Sequence, residues 1–425
     1  MRKAARHFLA VSLLFHGLSA AQNLTDDQLS QVKQRLAEGA LQSWELGTRA
    51  QALTELDTSA YSVLTVDASL PPSQSSPPSS LDEVFGIAKS VVGNRSVSND
   101  HASGAQPLIA DSAAGDPASI GVAVLLANWT GQASQDKLDY AGAATDQLNY
   151  LFNDVPHTSD GAISHRVSQL QLWSDFVYMV PPFLSYYGVV TSNQSMLQQG
   201  YNQIKLYRQY LRDGSAGGLW KHIVMGSGTD EGHWSTGNAW AAAGMLRVLG
   251  TISRSQFANN LKGEQSDLSS WVSEIHSAMY PHMRSSKLFG NYADDNSTFD
   301  DASSATLLAS TVYRLALLSG NTTFLPQAEQ VRQAIFGPAT SSGSNNGSSL
   351  EHFTSDMWLT PVVNPHSFGD EGSESPEGQA FVVELDAAWR DWVQAGSPGV
   401  NSAHATARAS WCLWVVIPMV LVAVV

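Results

Sequence analysis

The stretch Leu172–Gly188 reads Leu-Trp-Ser-Asp-Phe-Val-Tyr-Met-Val-Pro-Pro-Phe-Leu-Ser-Tyr-Tyr-Gly, with one acid, Asp175, and no base. Burying a bare carboxylate is costly, so this group must be hydrated, paired or protonated. Apolar walls raise a carboxyl pKa, and an acid tuned this way between Trp and Tyr is suited to protonating a sugar.

A second cluster runs from Gly218-Leu-Trp220-Lys-His222 to His233-Trp234-Ser-Thr-Gly-Asn238-Ala-Trp240. Aromatic faces stack on sugar rings, while His and Asn donate to hydroxyls or carboxylates. Asp116 directly precedes a helical run and reads either as a helix cap or first-turn acid, or as a second acid of the site. His165 and Arg166 follow an Asp-Gly turn and read either as a solvated pair or as site residues. Asp300 and Asp301, ahead of Ala-Ser-Ser, read as capping residues. His222 and His233 lack the close helical spacing of metal ligands, so no metal is expected. No nucleophile elbow, phosphate loop or dinucleotide fingerprint occurs, so no cofactor is expected.

The elements that carry these residues are helical. Apolar residues recur at three- and four-residue steps, as in Leu138, Ala141, Ala144, Leu148 and Leu151. Thr25-Asp-Asp-Gln28 is a capping box that opens a helix reaching about Leu56, with breaks. Further helices are expected over 81–92, 117–129, 134–152, 167–187, 194–213, 236–253, 263–284, 302–319, 325–336 and 376–395. Strand-like alternation is scarce and no short hairpin is expected. Helices of this number and length, without a visible sequence repeat, suggest helical hairpins closed into a ring. The fold class is therefore all-α, with one domain over 22–396. Residues 70–80 and 338–350 read as irregular loops.

Only 14% of the 425 residues are charged and 43% are hydrophobic, which suits one large core; the net charge of −15 argues against nucleic acid as a partner. Residues 1–21 carry the basic start, apolar run and small-residue end of a secretory signal peptide. Residues 397–410 form a polar tether with small residues at 401–403, and 411–425 form an apolar tail. Together these match a GPI-anchor signal, a short membrane anchor being the alternative. Sequons at Asn23, Asn94, Asn128, Asn193, Asn296, Asn321 and Asn346 agree with secretion to the cell surface. The single cysteine, Cys412, lies in the tail, so the mature chain is expected to have no disulfide. A monomer is expected.

Trp-Ser-Asp175-Phe-Val-Tyr-Met179-Val-Pro-Pro, Gly-Leu-Trp-Lys-His222 and Trp234-Ser-Thr-Gly-Asn238-Ala-Trp240 resemble, in order and spacing, the unsaturated glucuronyl and rhamnogalacturonyl hydrolases of glycoside hydrolase families 88 and 105. The resemblance covers about residues 27–395 and implies an (α/α)6 barrel. It further implies an oligosaccharide substrate whose terminal unsaturated uronic acid is removed by hydration of the C4=C5 bond. Asp175 matches the principal acid/base and Asp116 the second acid. His222, Trp234 and Trp240 match ring contacts, Asn238 holds the loop, and Trp220 adds an aromatic surface. The chain departs from the family pattern at Thr236, where an Arg that meets the uronate is usual, and at Ala239, usually Gly. A guanidinium is not replaced conservatively by a hydroxyl. Arg166, Lys221 and Arg247 are the candidates for a substitute cation. The alternatives are a glycosidase or transglycosidase acting on saturated glycans, and a glycan-binding protein without activity.

Overall fold

The computed structural model describes residues 23–339 and 349–400. The expected leader at 1–21, the tail at 411–425, the tether beyond residue 400 and the Asn346 sequon lie outside the described residues. Among the described residues no helix is long and apolar enough to cross a membrane.

The capping box forms as its residue types dictate: Thr25 Oγ1 accepts from the Gln28 amide at 3.2 Å, and Gln28 Oε1 accepts from the Thr25 amide at 2.9 Å. It opens α1 (Asp26–Gly39), and after a break at Ala40 the chain continues as α2 (Ser43–Asp57). The helices that follow are α3 (Asp82–Ser98), α4 (Gly121–Trp129), the single turn α5 (Gln132–Asp136), α6 (Tyr140–Asn153), α7 (Phe176–Val190), α8 (Gln194–Leu211), α9 (Ser235–Arg254), α10 (Lys262–Met279), α11 (Ala302–Ser319), α12 (Leu325–Ile335) and α13 (Pro376–Gln394).

Two kinds of helix alternate. In α1, α8, α10 and α12 a single stripe is buried, as with Leu29, Val32 and Leu36 of α1. In α7, α9, α11 and α13 nearly every face is buried. A helix apolar on one side belongs on the outside of a core and one buried all round belongs within it. The packing follows: α2, α4, α7, α9, α11 and α13 form an inner ring, with α13 returning to α2. The remaining long helices pack outside them, giving the (α/α)6 barrel expected from the pattern.

Helix α7 carries Pro181 and Pro182 in its interior. Proline has no N–H, so the carbonyl four residues earlier loses its helical donor. For Pro182 that carbonyl belongs to Tyr178, and Arg247 of α9 supplies a donor through Nη1 at 3.0 Å. Alongside, Gly244 of α9 abuts the Val177 carbonyl so closely that a Cβ would lie 2.2 Å from its oxygen. The all-apolar α7 is thus held against α9 at the point where its own ladder is broken.

Two expectations are corrected. The helix expected over 167–187 begins only at Phe176; the residues before it form a loop and strand β1 (Leu172–Trp173), paired antiparallel with β2 (Ile223–Val224). A short hairpin also exists, overturning the expectation of none. A two-residue pair, β3 (Phe289–Gly290) and β4 (Asp300–Asp301), precedes α11, and the hairpin itself, β5 (Val362–Asn364) with β6 (Ser367–Gly372), follows α12. The register of β5 and β6 shifts between Val363 and Asn364, which hides any alternation in the sequence.

Candidate active site

One mouth of the barrel is built from the N-terminal ends of inner helices. Asp116 opens a 3-10 turn ahead of α4, Asp175 directly precedes α7, and Trp234 directly precedes α9. Trp44 and Glu377 lie in the first turns of α2 and α13. Together with Asp111, His165, Arg166, Trp173, Met179, His222, Trp240, His366 and Phe368 they surround a cavity of about 280 Å³.

Backbone pairing between loops sets the relative positions. The Asp116 and His165 segments run antiparallel, with the Ala114 amide donating to the His165 carbonyl at 2.6 Å and the Val167 amide to that of Ser112 at 3.2 Å. The Asp175 segment is tied to the His222 segment through β1–β2 and through Ser174 N to His222 O at 2.9 Å. Gly115 is needed for this closeness, since a Cβ there would lie 2.9 Å from the Phe176 ring.

Asp116 and Asp175 flank one imidazole. His165 Nε2 is 3.7 Å from Asp116 Oδ1, and Nδ1 is 3.8 Å from Asp175 Oδ1. Neither acid makes a capping hydrogen bond to its helix, though Asp116 does stand in the first turn. Asp175 Oδ1 and His165 Nδ1 have no hydrogen-bond partner among the described residues, while the Asp175 side chain keeps 16% of its surface toward the cavity. Burial pushes Asp175 up to about 7, against the pull of the neighbouring backbone amides. Asp116 is raised well above its ordinary value by burial and then by the charge of Asp175. Burial, with the charges of Arg166 and His222, brings His165 down to about 3, so its ring is neutral at physiological pH.

Aromatic rings line the rest. Trp173 stacks on His165 with centroids 4.7 Å apart and meets His222 edge-on at 5.3 Å. His222 packs against Trp234 at 4.4 Å and Phe368 at 4.5 Å. Its Nδ1 bonds Asp230 at 2.9 Å, and its Nε2 has no hydrogen-bond partner among the described residues. Burial lowers the His222 pKa despite Asp230. Trp240 sits deeper, edge-on to Tyr178 and Phe381.

Arg166 lines the cavity half-buried, its guanidinium 5.8 Å from the Trp173 ring centroid and in no ion pair among the described residues. The other candidate cations are spent elsewhere: Lys221 pairs with Glu231, and Arg247 is buried on Tyr178. Thr236 is fully buried and donates to Asp301 at 2.7 Å. Asp301 also caps α11 and accepts from the Val363 amide at 3.1 Å, so it ties α9, α11 and β5 together.

Two residues expected to touch sugar do not line the cavity. Trp220 is fully buried. The Asn238 side chain is spent on backbone: Oδ1 accepts from Trp220 N at 2.8 Å, and Nδ2 donates to Trp220 O at 3.0 Å and Trp234 O at 2.9 Å. Asn238 holds the loop, as expected, but from behind. Sequence reasoning did not single out Trp44, Asp111, His366, Phe368 and Glu377. Trp173 and Met179 lay within the stretch around Asp175, and their position beside the lone acid was the available signal.

A closed ring of helical hairpins with an acid-bearing aromatic cavity at one mouth has the architecture of the helical-barrel carbohydrate hydrolases. The Glycosyl Hydrolase Family 88 model matches residues 106–337, more than half of the chain, and the chain belongs to this family of glycoside hydrolases. Among solved structures it is similar to a possible member of family 105 from Salmonella enterica, with 15% identity, 87% of this chain and 95% of that one covered, and a TM-score of 0.63. It is also similar to a family 105 glycoside hydrolase from C. acetobutylicum, with 11% identity, 85% and 99% coverage and a TM-score of 0.62. A third similar structure is the unsaturated glucuronyl hydrolase of Bacillus sp. GL1, responsible for glycosaminoglycan degradation, with 14% identity, 88% and 96% coverage and a TM-score of 0.55. No curated protein matches the chain.

Proposed function

We propose that the protein removes an unsaturated uronic acid from the end of lyase-generated oligosaccharides by hydrating its C4=C5 bond. The observation that carries this reading is the partly open carboxyl of Asp175 beside a neutral His165, held near neutrality by burial. A vinyl ether needs a proton at C4, and an acid with a pKa near the working pH is the efficient donor. Asp175 gives that proton to C4, and the charge left at C5 is shared with the ring oxygen. Water then adds at C5 and returns a proton to Asp175. The resulting hemiketal opens to a ketone, and collapse at C1 expels the aglycone as an alcohol.

Asp116 assists from the far side of His165, and the Trp173, Trp234 and His222 rings form the walls on which the sugar packs. Arg166, its guanidinium in no ion pair among the described residues, meets the uronate in place of the cation that Thr236 does not provide. The converging N-terminal ends of the inner helices add a field that favours an anionic ring. Glycosaminoglycan degradation by the Bacillus relative agrees with a uronyl substrate.

The protein is further proposed to act outside the cell, held at the surface by a GPI anchor. The leader-like and anchor-like ends support this, as do the exposed sequon asparagines Asn94, Asn193 and Asn296. Release from intact cells by a phosphatidylinositol-specific phospholipase tests the anchor.

For the activity, two disaccharides differing only in ring unsaturation are compared. The reading predicts that the unsaturated one is cleaved and the saturated one left intact. Cleavage of the saturated sugar at a similar rate would point instead to ordinary glycoside hydrolysis.

A further inference from the structure

The carboxyl of Glu377 belongs to the same cavity, and the chemistry above gives it no task. Like its partner Trp44, it lies outside the stretch matched by the family model. Glu377 stands in the first turn of α13, 5% exposed. Its Oε1 accepts from Trp44 Nε1 at 2.6 Å, the side-chain hydrogen bond its carboxyl makes among the described residues.

The charged groups around it are acids from four different elements. They are Glu45 of α2, Asp175 ahead of α7, Asp301 ahead of α11 and, more weakly, Asp116 ahead of α4. Arg166 is the arginine of the cavity wall, and among the described residues neither it nor the largely exposed His366 forms an ion pair with Glu377. Burial, followed by the charge of Glu45, pushes Glu377 up to about 8.

An anionic sugar entering this cavity meets Asp111, Asp116, Asp175 and Glu377 and one arginine. Each carboxyl that keeps its proton is a donor to that sugar rather than a repelling charge.

We propose that Glu377 is a further substrate-binding residue that works as a neutral acid: Oε1 stays on Trp44, and Oε2–H donates to an acceptor oxygen of the uronyl sugar. The inference rests on the uronyl reading above and adds the group that lets an acidic cavity hold an anionic ring. Ionisation of Glu377 removes the donor and adds a like charge, so binding weakens as pH rises. Glutamine keeps the acceptor for Trp44 and places an N–H where Oε2–H stands, without titrating.

The test is calorimetric titration of a lyase-generated unsaturated disaccharide into the slowed D175N protein and into D175N/E377Q, within times short against their residual turnover. At about pH 6 and about pH 9.5, either side of the raised carboxyl, Kd of D175N is expected to rise about tenfold or more, and that of the double variant by less than about threefold. Equal weakening in both proteins overturns the role of Glu377. So does a D175N affinity that is flat with pH, or disaccharide binding to neither protein. Turnover of the same sugar by the unaltered enzyme is recorded alongside. Failure of turnover with pH-dependent binding intact sinks the hydration chemistry and leaves Glu377 standing as a binding group.

Discussion

Asp175 Oδ1 stands 3.8 Å from His165 Nδ1, beyond hydrogen-bond reach, and neither atom has a hydrogen-bond partner among the described residues. Two polar atoms at this separation can share one oxygen seated off the line between them. In the proposed reaction that oxygen is the attacking water, which places the nucleophile beside the acid that has just lost its proton. His165 suits the role because its neutral ring brings no charge that would lower the Asp175 pKa.

The pH dependence of turnover has a defined sign. The donor must be protonated, and burial raises Asp175 to about 7. Activity is therefore expected to fall as pH rises through about 7, in a profile of kcat/KM against pH. A profile level to about pH 9 would remove Asp175 from the donor role.

Stability should follow the same carboxyls. Asp175 is raised from 3.8 to about 7 and Glu377 from 4.5 to about 8, with Asp116 raised as well. Between the ordinary and the raised values the native chain binds more protons than the unfolded one, so stability falls as pH rises through this window. The expected outcome is a Tm advantage of D175N over wild type that is larger at about pH 8.5 than at about pH 5, by thermal unfolding. An advantage independent of pH contradicts the raised pKa.

Arg166 carries the anion-recognition part of the account. Losing a charged hydrogen bond costs about 1.5–3 kcal/mol, so R166A is expected to raise KM for the unsaturated uronide by about 10- to 100-fold with little change in kcat. R166K should recover only part of this, because an ammonium lacks the guanidinium fork. Steady-state kinetics decide it; an unchanged KM would mean the uronate lies elsewhere.

Asn238 makes three backbone hydrogen bonds in a fully buried position. N238A leaves the buried Trp220 N–H and C=O unpaired, while the Trp234 carbonyl keeps the backbone amide of residue 238; at about 1–3 kcal/mol per group it is expected to destabilise by several kcal/mol. Denaturant unfolding measures this directly. A variant as stable as wild type would show that the clamp does little.

The inner helices were legible because burial on every face leaves long apolar runs, and the Thr25 cap because its two partners lie three residues apart. Asp175 stood out as the single charge in such a run. The loop at 167–175 was misread as helix because Leu170, Trp173 and Val177 follow one another at steps of three and four residues. Its amides and carbonyls are instead spent on the Asp116 and His222 segments. The β5–β6 hairpin was hidden by its register shift. Trp44 and Glu377 come from opposite ends of the chain and meet only when α13 closes on α2, a contact that no local pattern encodes. Trp220 and Asn238 have the residue types of a sugar site, and composition alone does not distinguish a clamp behind the wall from the wall itself.

The most direct test of the central claim follows the absorbance of the conjugated double bond in a lyase-generated disaccharide, with wild type and D175N side by side. The account predicts loss of absorbance with wild type, and a kcat lower by about 10²- to 10⁴-fold in D175N at similar KM, the range for removing a general acid. A double bond left intact by wild type, or consumed equally fast by D175N, would contradict it.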